Sequence, residues 1–333
     1  MSRIFIHGTG AVSPAGWGVS ALSAALKNGE PLPVQNLSRP GWEKSLRVRV
    51  VPPPPARPAF LAHPRLRRAS AMAQHTVAAA LEAIGGDAAR VQAGALRLGV
   101  IVCMMAGGVA YSRRFYEEVL QEPATASPLI FPETVFNAPA SHVSAFLGAK
   151  EINYTLVGDD GTFLQGLALA ADWLAADRVD ACVVVGTEEM DWLVADALRL
   201  FRSKMIYSGG AGALYLKKET RSEVELMTVT DSFVFTQKQN RAEAARRMKS
   251  QLPAGSMNEL LCDSAARSSV WADWPGSWLA LKDILGEAFL ASAAWQCVFA
   301  CNAVRQSEFA AANVSIIGVN QQAIGARFAG NNL

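Results

Sequence analysis

The stretch that most constrains this chain runs from Ile152 to Leu174. Ile152 to Val157 is β-branched and apolar enough to read as a short strand, and Leu164, Leu167, Ala168, Ala171 and Leu174 recur at helical spacing. Between them, Gly158-Asp159-Asp160-Gly161 must reverse the chain within one tight turn. Strand, turn and helix then form one local unit in which the turn carries the polar residues. The turn also lies at a helix N-terminus, where free N–H groups and the macrodipole favour negative charge. The plain expectation for Asp159 and Asp160 is therefore a helix cap, worth about 1 kcal/mol.

At 333 residues the chain is long enough for a large core, roughly two domains by length alone. Apolar residues make 51% and charged residues 18%, which implies extensive buried surface or a permanent interface. A net charge of +2 gives no global reason to expect nucleic acid as a partner. Cys103, Cys182, Cys262, Cys297 and Cys301 show no metal-type spacing. Their apolar neighbours suggest reduced, buried thiols in a cytoplasmic protein, and neither a metal nor a cofactor is expected. Ile4-Phe5-Ile6 followed at once by His7-Gly8-Thr9-Gly10 does not read as a signal peptide. Phe289 to Val304 is too short and too polar for a membrane span and reads as a buried helix.

In order, Arg3 to Ile6 reads as a strand, followed by a glycine-containing turn and a helix with Val19, Leu22, Ala25 and Leu26 on one face. A helix over 69–84 ends at Gly85-Gly86, and Leu98 to Met104 is a buried strand. Asp180 to Val185 is another strand, and a glycine-rich run at Ser208 to Gly212 leads into one more. Beyond residue 222 the pattern gives strands at 224–235, 259–263 and 314–319, and helices at 240–250 and 277–304.

Several motifs together resemble the β-ketoacyl-acyl carrier protein synthases, condensing enzymes of the thiolase fold. Gly8-Thr9-Gly10-Ala11-Val12-Ser13-Pro14 is similar to their opening. Asn153-Tyr154-Thr155 is similar to the start of their nucleophile elbow, and Ser208 to Leu216 to a later glycine-rich run. The resemblance implies an αβαβα thiolase-like fold of two pseudo-repeated halves, 1–218 and an abbreviated 222–333. On the elbow pattern Asp160 stands where the family has its cysteine, and Thr162 and Phe163 replace the serine and glycine that follow. Lys282-Asp283-Ile284-Leu285-Gly286-Glu287 fits a family motif that ends in histidine, with Glu287 in its place. A second histidine position maps onto Asp263. No histidine follows His142. His7 and His142 are expected to be structural.

Decarboxylative condensation needs a thiolate and groups that stabilise the enolate and oxyanion. The resemblance therefore implies a subunit without catalytic residues, like the chain length factor of bacterial type II polyketide, polyene or fatty-acid-like systems. Such a subunit pairs with an active ketosynthase, which works on acyl carrier protein, and shapes the acyl tunnel. The resemblance makes Phe136 and Phe163 candidates for that channel. It also places Asn153, Tyr154, Thr155, Leu156 and Val157 on the dimer interface. Arg241, Arg246, Arg247 and Lys249 on one helix are candidates for carrier-protein docking. The other readings are an acyl hydrolase that uses Asp160, Asp263 and Glu287, as a metal site or an acid–base pair, and a homodimeric acyl-binding scaffold.

Overall fold

The computed structural model describes residues 3–202, 204–219, 222–236, 240–264 and 269–331. Ten strands carry the architecture. They are β1 (Phe5–Ser13), β2 (Leu98–Met104), β3 (Asn153–Val157), β4 (Ala181–Glu188) and β5 (Gly210–Lys217). After them come β6 (Val224–Val229), β7 (Glu259–Asp263), β8 (Ser277–Leu279), β9 (Ala311–Ile317) and β10 (Gln322–Gly330). The first five pair in the order β3-β2-β4-β5-β1 and the second five in the order β8-β7-β9-β10-β6. These are the same order twice. In both runs the strand fifth in chain order is antiparallel to its neighbours and the other pairings are parallel. The runs meet where Phe5 pairs with Glu225, so one sheet continues through both.

The helices that matter to the site are α1 (Val19–Asn28), α2 (Ala71–Ile84), α3 (Ala138–Leu147) and α4 (Thr162–Ala175). Further along are α5 (Arg241–Ser250), α6 (Leu281–Leu285) and α7 (Phe289–Arg305). Strand alternation sorts the core into layers. Ile101 and Cys103 face α4 and α7, together with Leu260, Cys262 and Val314 of the second run. Val100 and Val102 face the other way, onto Val77 and Ala80 of α2 and Val143 of α3. Leu261 and Ile317 face Met248 of α5. Helix, sheet, helix, sheet, helix is the expected αβαβα arrangement, with α4 and α7 as the middle layer. Sheets buried on both faces have near-continuous apolar strands, as β2 does. The outer layer of the second half is thin, supplied mainly by α5.

Three expectations need correction. The first strand continues past Ile6 to Ser13, because α2 lies directly on its glycines: a Cβ on Gly8 or Gly10 would sit 1.9 Å from the carbonyl oxygen of Ala83 or Ala79. The expected helix 277–304 is β8, α6 and α7 in succession, broken at Gly286 (φ 87) and turned again at Phe289 (φ 44). The chain also ends its second half on β10, a strand absent from the periodicity reading.

Candidate functional site

The elbow forms as expected. Among the described residues β3 is hydrogen-bonded to β2 alone, and Gly158 N–H donates to Met104 O at 3.2 Å as the chain leaves the sheet. Asp159 and Asp160 are both about 1% exposed at the start of α4. Neither acts as a simple cap. The carboxylate of Asp159 accepts from Gly161 N–H (3.2 Å), Gln321 N–H (3.0 Å) and Gln322 Nε2 (3.1 Å), clamping the elbow to the turn between β9 and β10. A Cβ on Gly318 would lie 2.0 Å from its Oδ2, so the turn must approach this closely. Burial raises the Asp159 pKa, and its hydrogen bonds with Gln322 offset part of that.

Asp160 has a different partner. Its Oδ2 is 2.8 Å from Lys282 Nζ, and the same ammonium is 2.5 Å from Glu287 Oε2. The broken helix makes this possible. Lys282 lies on α6, Gly286 turns the chain, and Glu287 follows in extended backbone held by Ile206 and Ser208. Glu287 Oε1 accepts from Phe289 N–H at 2.9 Å. Burial works against the Lys282 ammonium, but the two carboxylates outweigh it and raise its pKa. Burial likewise raises Glu287, opposed by Lys282. The remaining oxygen of Asp160, Oδ1, is buried and has no hydrogen-bond partner among the described residues.

Sequence reasoning missed one member of this cluster. Glu188, at the end of β4, is buried and accepts from Met105 N–H (2.6 Å) and Ala106 N–H (3.3 Å). Burial, with added repulsion from Asp160 and Glu287, pushes its pKa up to about 8 despite those two donors. A glutamate ending an apolar strand was the available signal.

Asp263 does not join the site. It faces outward from β7, where Ser315 Oγ donates to its Oδ1 at 3.1 Å and in turn accepts from Trp271 Nε1. Of the expected trio Asp160, Asp263 and Glu287, only Asp160 and Glu287 come together, bridged by Lys282. No group of three or more His, Cys, Asp or Glu side chains among the described residues is placed to hold a metal.

A cavity of about 630 Å³ opens over Asp160, Lys282 and Glu287, walled by Arg202, Arg241, Met205 and Val319. Neither channel candidate lines it. Phe163 is fully buried between the sheets, and Phe136 is half exposed with its ring against Gly107. All five cysteines are free and buried, and burial raises every one of their thiol pKa values. His142 Nε2 is 2.5 Å from Glu133 Oε1 in a buried pair, and His7 is bonded to Glu219 O, so both have structural partners.

The residues expected at an interface lie on an edge strand. β3 ends the sheet, with Tyr154 47% and Val157 54% exposed, while Asn153 Nδ2 ties the strand to α3 through Ala140 O and Ser144 Oγ. On α5 the candidate docking cations have partners within the chain. Arg246 pairs with Glu243, Lys249 with Asp273, Arg241 donates to Ile317 O, and Arg247 covers the Phe233 ring. No helix among the described residues is long and apolar enough to cross a membrane.

Residues 1–220 match the family model of the β-ketoacyl synthase N-terminal domain. No curated protein matches the sequence. Among solved structures, the chain is similar to a type II polyketide synthase acyl-carrier protein in complex with its ketosynthase bound to the hexaketide. Identity there is 15% and the TM-score 0.81, over 99% of both chains. It is similar to the ishigamide ketosynthase/chain length factor at 17% identity and TM-score 0.75, over 98% of this chain and 99% of that one. A β-ketoacyl synthase from Burkholderia phymatum STM815 matches at 16% identity and TM-score 0.78 over the whole of both chains. These likenesses establish the thiolase-like ketosynthase fold, and with the family match they place the chain: it belongs to the β-ketoacyl synthase family.

Proposed function

We propose that this chain is a catalytically silent ketosynthase-like subunit of the chain-length-factor type. It would pair with an active β-ketoacyl-acyl carrier protein synthase and shape the acyl tunnel of a type II polyketide or fatty-acid-like system. Its two halves, 1–218 and 222–333, would follow the pseudo-repeat of the family. The observation that carries this reading is the state of the elbow. Where a nucleophile would stand, Asp160 is buried and ion-paired to Lys282. A carboxylate held in that way is a poor nucleophile, and the mixed anhydride it would form is too reactive to store an acyl chain. The buried cysteines cannot stand in, because their thiols are far from thiolate at neutral pH.

The exposed edge of β3 supports pairing. Its outer N–H and C=O groups lack a strand partner among the described residues, and such an edge is an aggregation hazard unless another chain covers it. Thr155 Oγ1 is buried on this strand without a partner among the described residues. Phe131 and Phe136 lie exposed on the segment that leads into α3. An exposed edge strand together with exposed aromatic side chains suits a core-like permanent interface.

The test is condensation of acyl- and malonyl-carrier protein. The purified chain alone should give no product, and the same chain with an intact ketosynthase partner should support elongation. Turnover by the chain alone that disappears in Asp160→Ala would contradict the proposal.

A further inference from the structure

Residues 51–58 belong to no strand or helix and take no part in the elbow. They run Val51-Pro52-Pro53-Pro54-Pro55-Ala56-Arg57-Pro58 and lead into a short 3₁₀ turn at Ala59–Ala62. The sequence itself dictates their shape. Val51, Pro52, Pro53 and Pro54 each precede a proline, which confines their backbone to the extended or polyproline II region. Four successive prolines also offer no N–H, so a sheet interior cannot take the run up. The confinement lapses at Pro55 and Ala56, neither of which precedes a proline, and the chain bends there. Pro58, with φ −59 and ψ 136, is back in the polyproline II region.

The run is anchored on both sides. Val50 packs on the middle core, Trp17 Nε1 donates to Pro52 O at 2.9 Å, and beyond the bend the Phe60 ring meets Phe146 edge-on. Three residues per turn put Val51 and Pro54 on one edge of the polyproline helix, and both are half-buried. Pro52 and Pro55 form a second edge and Pro53 the third, and all three are exposed. The segment thus rests on one edge and presents two proline edges outward. Such a ridge is what aromatic-lined grooves recognise: ring faces take the prolines, groove donors take free carbonyls, and little ordering is left to do.

Charge supplies a second, independent observation. No Asp or Glu lies between Glu43 and Glu82, a stretch that holds seven Lys and Arg residues. Arg57, two residues past the ridge, is exposed. Its guanidinium is 3.4 Å from Leu61 O, long for a hydrogen bond, and is open to a carboxylate from outside.

We propose that Pro52–Pro55 and Arg57 form a docking ligand for a partner protein that carries an aromatic-lined polyproline groove with carboxylates at one end. The ridge shares no residue with the elbow or with β3, so this proposal and the pairing proposal can fail separately.

Pro52, Pro55 and Arg57 have the Pro-x-x-Pro-x-Arg spacing, so an SH3-type domain that selects such ligands is the probe. Isothermal titration of the full chain with that domain should show saturable one-to-one binding. It should be at least as tight as binding of a free peptide spanning residues 48–61, because the fold has already ordered the run. Pro52→Ala with Pro55→Ala should weaken binding by about tenfold, the loss of an anchoring contact, with folding checked by circular dichroism. Arg57→Gln should weaken it by about threefold and remove most of its salt dependence. Binding to the peptide but not to the chain, binding to neither, or binding unaffected by the double proline substitution would each overturn the proposal. So would light scattering that shows the ridge covered by a second copy of the chain, in a dimer that the double substitution dissolves.

Discussion

Lys282 is the residue on which the elbow depends. Its side chain is 17% exposed and stands between two carboxylates that are essentially inaccessible to solvent. Removing one partner of a buried ion pair is far more costly than replacing the whole pair, because the remaining charge keeps its desolvation penalty. Lys282→Met should therefore cost roughly 3 kcal/mol in urea unfolding, while Lys282→Met combined with Asp160→Asn and Glu287→Gln should recover much of it. Equal losses in the single and triple variants would show that the triad is not an electrostatic unit. Glu188 gives a pH test. Its folded pKa, near 8, lies above the ordinary glutamate value, so the folded state holds a proton that the unfolded chain releases. Its contribution to stability is thus greatest below about pH 5 and declines as pH rises towards 8. Melting of Glu188→Gln against the unaltered chain should show the variant gaining relative stability across that window. A constant difference would rule out the raised pKa. The family motifs already grouped Glu287 with Asp160, but the ammonium of Lys282 between them was not legible, since Asp160 is 122 residues from Lys282. Asp263 was misplaced for a local reason. Leu260 and Cys262 face the middle helices, so Leu261 and Asp263, one residue out of phase, face the outer layer.

Elements explain why the halves pack as they do. α2 lies so close to β1 that the carbonyl oxygens of Ala79 and Ala83 occupy the space a Cβ would take at Gly10 and Gly8. The contact is backbone on both sides, so neither element can yield by a rotamer change. Gly10→Ala should lower stability by at least about 2 kcal/mol, the upper part of the usual range for overpacking. It should be read as a fall in the thermal midpoint with the fold otherwise retained. A midpoint within a degree or so of the unaltered chain would mean that α2 can shift away. The elbow, α2 and α4 were legible because their apolar spacing is regular over two turns or more. The break within 277–304 was not, because apolar residues continue through Leu281, Ile284 and Leu285 into Phe289 and hide the turn at Gly286. β10 was missed because Gly325 and Arg327 interrupt an otherwise apolar run. Arg327 is accommodated by its ion pair with Glu259 and a hydrogen bond to Asn313, contacts made by pairing with β9 and invisible along the chain.

At the scale of the molecule, ten strands and a buried middle layer end on one side in β3, an edge that no other segment of the described chain covers. The αβαβα layering and the repeat of strand order were foreseeable from family motifs and alternating strands and helices. The cavity was not, because its walls come from seven separate stretches of sequence. What covers β3 decides whether the chain is a pairing subunit. A charge placed in the middle of that strand, Thr155→Lys, should leave the chain folded by circular dichroism but abolish pairing, since the lysine would be buried unpaired at the junction. The most direct measurement is size-exclusion chromatography with light scattering on the chain co-expressed with an intact ketosynthase. A stable one-to-one complex that Thr155→Lys dissolves is the expected result. A well-behaved monomer that ignores the ketosynthase, or a complex that survives Thr155→Lys unchanged, would contradict it.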